Sequence, residues 1–322
     1  MRKLLSMKVL IVCSFNNGKI SAFIEEQANE LKKSGLIVDY FLINKKGFFG
    51  YFLNLLPFYK KIYHFKPDLI HAHYGLSGLF SNLQPFIPVI TTYHGSDIHQ
   101  KSNIAKSKIC FKLSKKNIFV AKDQIKLMDV DQNYNVIPCG VDMNLFTMKD
   151  KNNSKRKLNF NLEKKYILFS SSFDNKIKNY ALAANALSLL KSVDIELIEL
   201  KGHSREKVVA LMNACDLVLM TSINEGSPQF IKEAMACSTP IVTTDVGDVK
   251  MILGETQGTF ICKSTPESIA FGIKKALKFA VDNIKTNGRQ RIIELNLDNK
   301  HIAKQLIEIY KNVLDSNNVN NH

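Results

Sequence analysis

Two glutamates eight positions apart, Glu225 and Glu233, enclose a stretch suited to binding an anion. It begins Glu225-Gly226-Ser227-Pro228-Gln229-Phe230. Ser227 suits a helix N-cap, and Pro228 suits the first helical turn, where its missing N–H costs nothing. The free amides of Gln229 and Phe230 then point at any negative charge lying ahead of the helix. Eight residues at ~1.5 Å each put the two acids ~12 Å apart. That is too far for a pair acting across one glycosidic bond, which needs about 5–9.5 Å. They are better placed to grip opposite ends of an elongated ligand with phosphate between them, the shape of a nucleotide-sugar. The plain alternative is a strand-to-helix loop whose acids are solvated.

A second cluster is built on histidine. Pro67 to Gly75 reads as a strand running into a loop, and Val89 to Asp97 repeats the design. Side chains alternate along a strand, so His71 and His73 share a face. An H-x-H pair at a strand end could also open the metal site of a hydrolase. Further ligands are scarce: His94, Asp97, His99 and a distant His203. A hydrolase barrel would need eight regular βα units, whereas this chain breaks into two halves.

The elements that must position these residues are α/β in character. Leu217 to Met220 is a short apolar run fit for a buried parallel strand, and Phe230, Ala234 and Cys237 recur on one helical face. Pro240 ends that helix and Ile241-Val242 starts the next strand, so the acid-bearing loop lies at the carboxyl end of its strand, where open parallel sheets bind ligands. Val9 to Phe15, a turn cluster Asn16-Asn17-Gly18-Lys19, a helix over 21–34 and a strand over 36–43 form a βαβ opening without G-x-G-x-x-G. A basic start and an apolar run suggest a signal peptide, but Lys8 interrupts the run and no small-residue cleavage site follows. Asn144 to Lys165, rich in Lys and Asn, reads as a linker. The expected division is therefore 1–150 and 151–299, with a closing helix over 300–314 that returns to the first domain and a disordered tail over 315–322.

Composition narrows the partners. The 322 residues carry a formal net charge of +15 and are 45% hydrophobic. Such a chain is globular and favours anionic partners. No zinc-finger spacing or RNA-recognition signature supports nucleic acid among them. The six cysteines are scattered without a C-x-x-C pair and read as free thiols of a reducing cytosol. Gly47 to Phe65 is aromatic and Lys-flanked, interrupted by Asn54 and Pro57, and too short to span a bilayer. It suits a helix lying on anionic lipid or gripping a lipid-linked acceptor, or else a core helix with a solvated basic edge.

Glu225-Gly226-Ser227-Pro228 with Glu233-Ala234-Met235-Ala236 resembles the E-x7-E signature of retaining glycosyltransferases of family 4. Thr243 to Val249, the segments HAHYGLSG and HGSD, and Val136 to Asp142 resemble the same family. The resemblance implies the GT-B fold, two Rossmann-like α/β domains facing a central cleft. It also implies that Glu225 contacts donor-sugar hydroxyls, that the amides from Gly226 to Phe230 hold the diphosphate, and that Glu233 holds the ribose. His94 would hydrogen-bond the donor sugar. His73, Tyr74 and Gly75 would lie near the acceptor, and Gly18 and Lys19 would face donor phosphate and acceptor. The family usually places an Arg and then Lys-Gly before the following helix, both cations neutralising the diphosphate. Lys178 fits the Lys, but Phe173 stands at the Arg position and Asn179 replaces the Gly, with Lys176 a substitute cation.

These readings converge on an expectation. The chain should be a hexosyl-type transferase moving sugar from a UDP- or GDP-linked donor, without metal, to a glycan or lipid-linked glycan. The setting would be surface-polysaccharide synthesis (capsule, O-antigen or exopolysaccharide), in the cytoplasm or peripherally at the inner face of the cell membrane. His94, Glu225 and Lys178 would be the catalytic residues. A non-catalytic glycosyltransferase-like binding subunit is the main alternative, and a hydrolase using His71 and His73 a lesser one.

Overall fold

The computed structural model describes residues 7–15, 18–44, 47–190, 194–281 and 285–319. Asn16 and Asn17 of the expected turn lie outside them. The chain forms two compact units, one of residues 1–140 with 299–322 and one of residues 141–298. The division thus falls at Gly140–Val141 rather than at 150.

The first unit is a six-stranded parallel sheet. Its strands are β1 (Lys8–Ser14), β2 (Ile37–Ile43), β3 (Leu69–His73), β4 (Val89–Tyr93), β5 (Lys116–Phe119) and β6 (Tyr134–Val136), in the order β2-β1-β3-β4-β5-β6. The chain moves outward from β1 to β2 and then crosses β1 to β3, so the direction of winding reverses between β1 and β3. Loops after these two strands part at that point, leaving a crevice beyond their carboxyl ends. Val9, Ile11, Leu69 and Ile90 of the sheet are buried against Ile24, Ala28 and Leu31 of the helix Ala22–Lys33, together with Ile302, Leu306 and Tyr310 of the helix Asn299–Val319. That last helix continues through Asp315 to Val319, five residues into the expected tail.

The second unit is a five-stranded parallel sheet of β7 (Lys165–Phe169), β8 (Ile195–Glu199), β9 (Leu217–Met220), β10 (Ile241–Thr244) and β11 (Thr259–Cys262), in the order β11-β10-β9-β7-β8. Its winding reverses between β7 and β9. The expected linker is part of this unit. Asp150 accepts the Asn153 amide at 2.7 Å and caps the helix Lys151–Lys157, and Leu158 and Phe160 pack onto the core. The Lys/Asn pattern hid this because the helix is only seven residues long and its exposed side is polar.

Gly47 to Phe65 forms two helices, Gly47–Leu53 and Leu55–Phe65. Phe58 is buried, while Phe52, Leu56 and Tyr63 stand exposed. Among the described residues, no helix is long and apolar enough to cross a membrane. All six cysteines are free thiols.

Candidate active site

Lys178 and Glu225 stand on the loops that follow β7 and β9, the two strands flanking the reversal of the second sheet. Hydrogen bonds to the backbone stitch these loops together. Thr221 Oγ1 donates to the carbonyls of Lys178 (3.0 Å) and Asn179 (2.9 Å), and the Ile223 amide donates to the Ile177 carbonyl at 2.9 Å. Thus fixed, the Lys178 ammonium pairs directly with the Glu225 carboxylate, which also accepts Ser222 Oγ at 2.7 Å. Lys176 is exposed on the same short 3₁₀ turn. Of the two lysines, Lys178 is the one that meets the acid.

The helix after this loop runs Gln229–Ala236, so Pro228 rather than Ser227 is its N-cap. Pro228 has no side-chain acceptor to cap this helix start, and the amino end of a helix favours a nearby anion. Gly247 secures the loop from the other side. It has φ +58°, and a Cβ there would come within 2.1 Å of the Gly226 carbonyl oxygen, so any side chain would drive the loops apart. The Asp248 amide donates to that same carbonyl at 3.1 Å.

Glu233 is buried, and Arg205 donates to it at 2.6 Å from the first turn of the helix Arg205–Ala214. Burial raises the Glu233 carboxyl above the usual glutamate range, with Arg205 and Lys232 pulling it back. The Arg205 guanidinium also lies 4.7 Å from the Phe146 ring centre. Lys232 is fully buried and donates to Ser227 Oγ at 3.1 Å. Sequence reasoning missed both cations. A signal for Arg205 existed, since the chain has only five arginines among its 44 basic residues, and a lysine-rich chain that uses arginine commonly needs its planar fork.

Phe173, the residue that the resemblance sets at the Arg position, packs inside the unit. Its ring stacks on Tyr180 at 4.2 Å and packs on the core of the unit, while its amide donates to Glu199 at 2.7 Å. These contacts give Phe173 a structural role.

In the first unit, Lys19 and Tyr74 line a cavity of about 310 Å³ with Ser14, Ser77 and Asp97, beyond β1 and β3. Tyr74 holds φ +73°, strained for a side-chain-bearing residue by about 1–3 kcal/mol. Gly18 forms a turn at φ +68°. Gly75 is a packing position: a Cβ would lie 2.2 Å from Ser107 Oγ, and its amide donates to Asp97 at 3.0 Å. Asp97 also accepts the amides of Gly95 (2.9 Å) and His94 (3.1 Å), and burial pushes its carboxyl up to about 6.

His71, His73 and His94 form a stack, with ring centres 4.5 Å and 5.2 Å apart. His71 meets Tyr310 OH at 2.6 Å and Thr92 Oγ1 at 2.7 Å, and burial lowers it to about 3. His73 Nδ1 faces His94 Nε2 at 2.9 Å, and His94 Nδ1 faces Cys139 Sγ at 3.6 Å. The tautomers that bury no unpaired N–H have His73 Nδ1 donating to His94, and His94 Nδ1 donating to the thiol. His94 Nε2 is therefore an acceptor already engaged inside the unit. The hydrolase alternative loses its ligands, because both nitrogens of His71 are bound to side chains of the core.

Comparison with known proteins agrees with this architecture. Residues 8–145 match the model described as Glycosyltransferase Family 4, and residues 195–294 match Glycosyl transferases group 1. A Bacillus subtilis glycosyltransferase, provisionally assigned to teichuronic acid biosynthesis, is 25% identical over 242 residues, 65% of this chain and 61% of that relative. The chain thus matches about three fifths of that protein's length. Among solved structures, sucrose-phosphate synthase from Thermosynechococcus elongatus superposes with a TM-score of 0.81 at 16% identity, covering 96% of this chain and 100% of that one. HepE of Anabaena, in complex with UDP and glucose, gives 0.73 at 18% identity over 95% and 99%. The fold is GT-B, and the chain belongs to the family 4 glycosyltransferases.

Proposed function

We propose that the chain is a retaining glycosyltransferase that moves a sugar from a UDP- or GDP-linked donor to a glycan or lipid-linked glycan in surface-polysaccharide synthesis. One observation carries the reading. An uncapped helix start lies between two acid–cation pairs, Lys178 with Glu225 and Arg205 with Glu233, at the reversal of the second sheet. A diphosphate at that helix start would meet amides and draw Lys178 from Glu225, which frees the carboxylate for sugar hydroxyls. Glu233 would take the ribose. Fixed amides and cations stabilise charge on the departing diphosphate, so the reading assigns it no metal. Lys19 and Tyr74 would contact the acceptor. His94 would reach the donor sugar only by turning its Nδ1–H away from the 3.6 Å contact with Cys139 Sγ, while His73 keeps Nε2 as the acceptor. The complex of HepE with UDP and glucose supports a nucleotide-sugar as donor.

Phe173 favours a second reading, a binding subunit without turnover. A thermal-shift panel of nucleoside diphosphates and their sugars, with and without divalent cation, followed by a nucleotide-release assay on the best donor, separates the two. Stabilisation by one nucleotide-sugar with release on adding acceptor is the expected result. Stabilisation without release favours the subunit, and no response to any nucleotide sinks the transferase reading and leaves a subunit that binds glycan or a partner enzyme.

A further inference from the structure

A basic bowl opens at the opposite end of the second sheet from Glu225 and Lys178. Lys165 begins β7, and Asp216 and Pro240 immediately precede β9 and β10, so the amino ends of the strands form its floor. The bowl holds about 480 Å³. Five lysines line it (Lys149, Lys151, Lys155, Lys165 and Lys285), and Asp150 and Asp216 are the only carboxylates there among the described residues. A niche of about 30 Å³ continues inward to Asn213, Ser238 and Thr239.

Both acids are already engaged. Asp216 accepts Lys151 Nζ at 2.9 Å and the Tyr166 amide at 2.9 Å, while Asp150 caps its helix. Lys155 is 3% exposed and donates to the carbonyls of Leu162 (3.1 Å) and Lys164 (2.8 Å), so its charge is fixed in place. Lys149, Lys165 and Lys285 make no direct ion pair with an acid among the described residues, although Asp150 is near enough to act on Lys285. Partial burial and then Lys151 hold Lys285 below the ordinary lysine range, and burial, Lys151 and Lys165 do the same to Lys155 against the pull of Asp216. Ammonium groups crowded on one concave surface are relaxed by a bound multivalent anion.

We propose that this bowl is a second oxyanion site, separate from the donor loops, that takes a multivalent phosphate group. The group belongs either to a free diphosphate or to a phospholipid headgroup. The proposal does not depend on the glycosyl-transfer reading.

Lysine acetylation of the full chain, read residue by residue by mass spectrometry, tests it. Pyrophosphate, vesicles of phosphatidic acid (whose headgroup is a phosphomonoester) and sodium chloride of matched ionic strength form three arms. Several-fold protection of Lys149, Lys165 and Lys285 by pyrophosphate identifies a free diphosphate, and protection by vesicles alone identifies the headgroup. Equal protection by chloride, or protection confined to Lys178, overturns the proposal. The double variant Lys165→Gln/Lys285→Gln removes neither an ion pair nor a side-chain hydrogen bond described within the unit. It should abolish protection of Lys149 and leave that of Lys178 unchanged; persistent protection of Lys149 in this variant would also overturn the site.

Discussion

Arg205 donates to Glu233 across 2.6 Å, joining the first turn of one helix to the second turn of another. Glu233 has 5% of its side chain exposed and Arg205 26%, so the acid is the more dependent partner. Arg205→Met should cost about 2–3 kcal/mol, below the ~3–5 of a fully buried pair, because the arginine keeps some water. Arg205→Met/Glu233→Gln should recover much of that loss. Urea midpoints of the single and double variants check this, and a single variant as stable as the parent would contradict it.

The two acids should fail differently. Glu225→Ala should lower turnover while leaving free nucleoside diphosphate binding nearly intact, since Glu225 is assigned to the sugar. Glu233→Ala should weaken the free nucleotide as well. Calorimetric titration of both variants decides, and equal losses of nucleotide affinity would reject the assignment.

Lys178→Ala should reduce turnover by about 10²–10³-fold, the usual effect of removing one donor to developing charge. Lys178→Arg should restore part of it with altered geometry. Lys176→Ala should be nearly silent, because that side chain is exposed while Lys178 pairs with Glu225. The reverse ranking in a steady-state assay would shift the cation to Lys176.

Asp97 gives a pH signature. Its folded value of about 6 exceeds the ordinary aspartate value of ~3.9. Between these values the folded state binds the extra proton, so this group's contribution to stability falls as pH rises and levels off above about 6. The span is at most about 3 kcal/mol. Asp97→Asn should flatten the stability–pH curve in that window, whatever its absolute stability. An unchanged slope would show that the three amides hold the carboxylate ionised throughout.

The exposed Phe52, Leu56 and Tyr63, beside Lys60 and Lys61, should bring the protein to anionic bilayers. Each basic residue near such a surface contributes about 1 kcal/mol, screened by salt. Co-sedimentation with phosphatidylglycerol vesicles should decline as salt rises. No binding at low salt would remove the idea.

Much of this was legible in the sequence because parallel strands are short apolar runs and their ligand loops follow them directly. Leu217 to Met220 and Glu225 could be located in that way, whereas Lys178 was named from the family resemblance alone. The pairing of Arg205 with Glu233 could not be located so, because it spans 28 positions and no periodicity encodes a contact between separate elements; the scarcity of arginine marks the residue but not its partner. The helix Lys151–Lys157 was hidden for a different reason: its stability comes from a cap and a packed flank rather than an apolar stripe. The occupation of His94 Nε2 by His73 was likewise out of reach, since alternation gives the face of a side chain but not which ring nitrogen is engaged.

The helix Asn299–Val319 belongs to the first unit although all of the second unit precedes it in the chain. A ribosome therefore finishes the second sheet before it supplies Ile302, Leu306 and Tyr310 to the first. Until then the first unit has an uncovered apolar flank and His71 lacks its phenol partner. The first unit should thus mature last despite being started first. A premature stop shortly after residue 298 should yield a folded second unit tethered to a sticky, protease-sensitive first one.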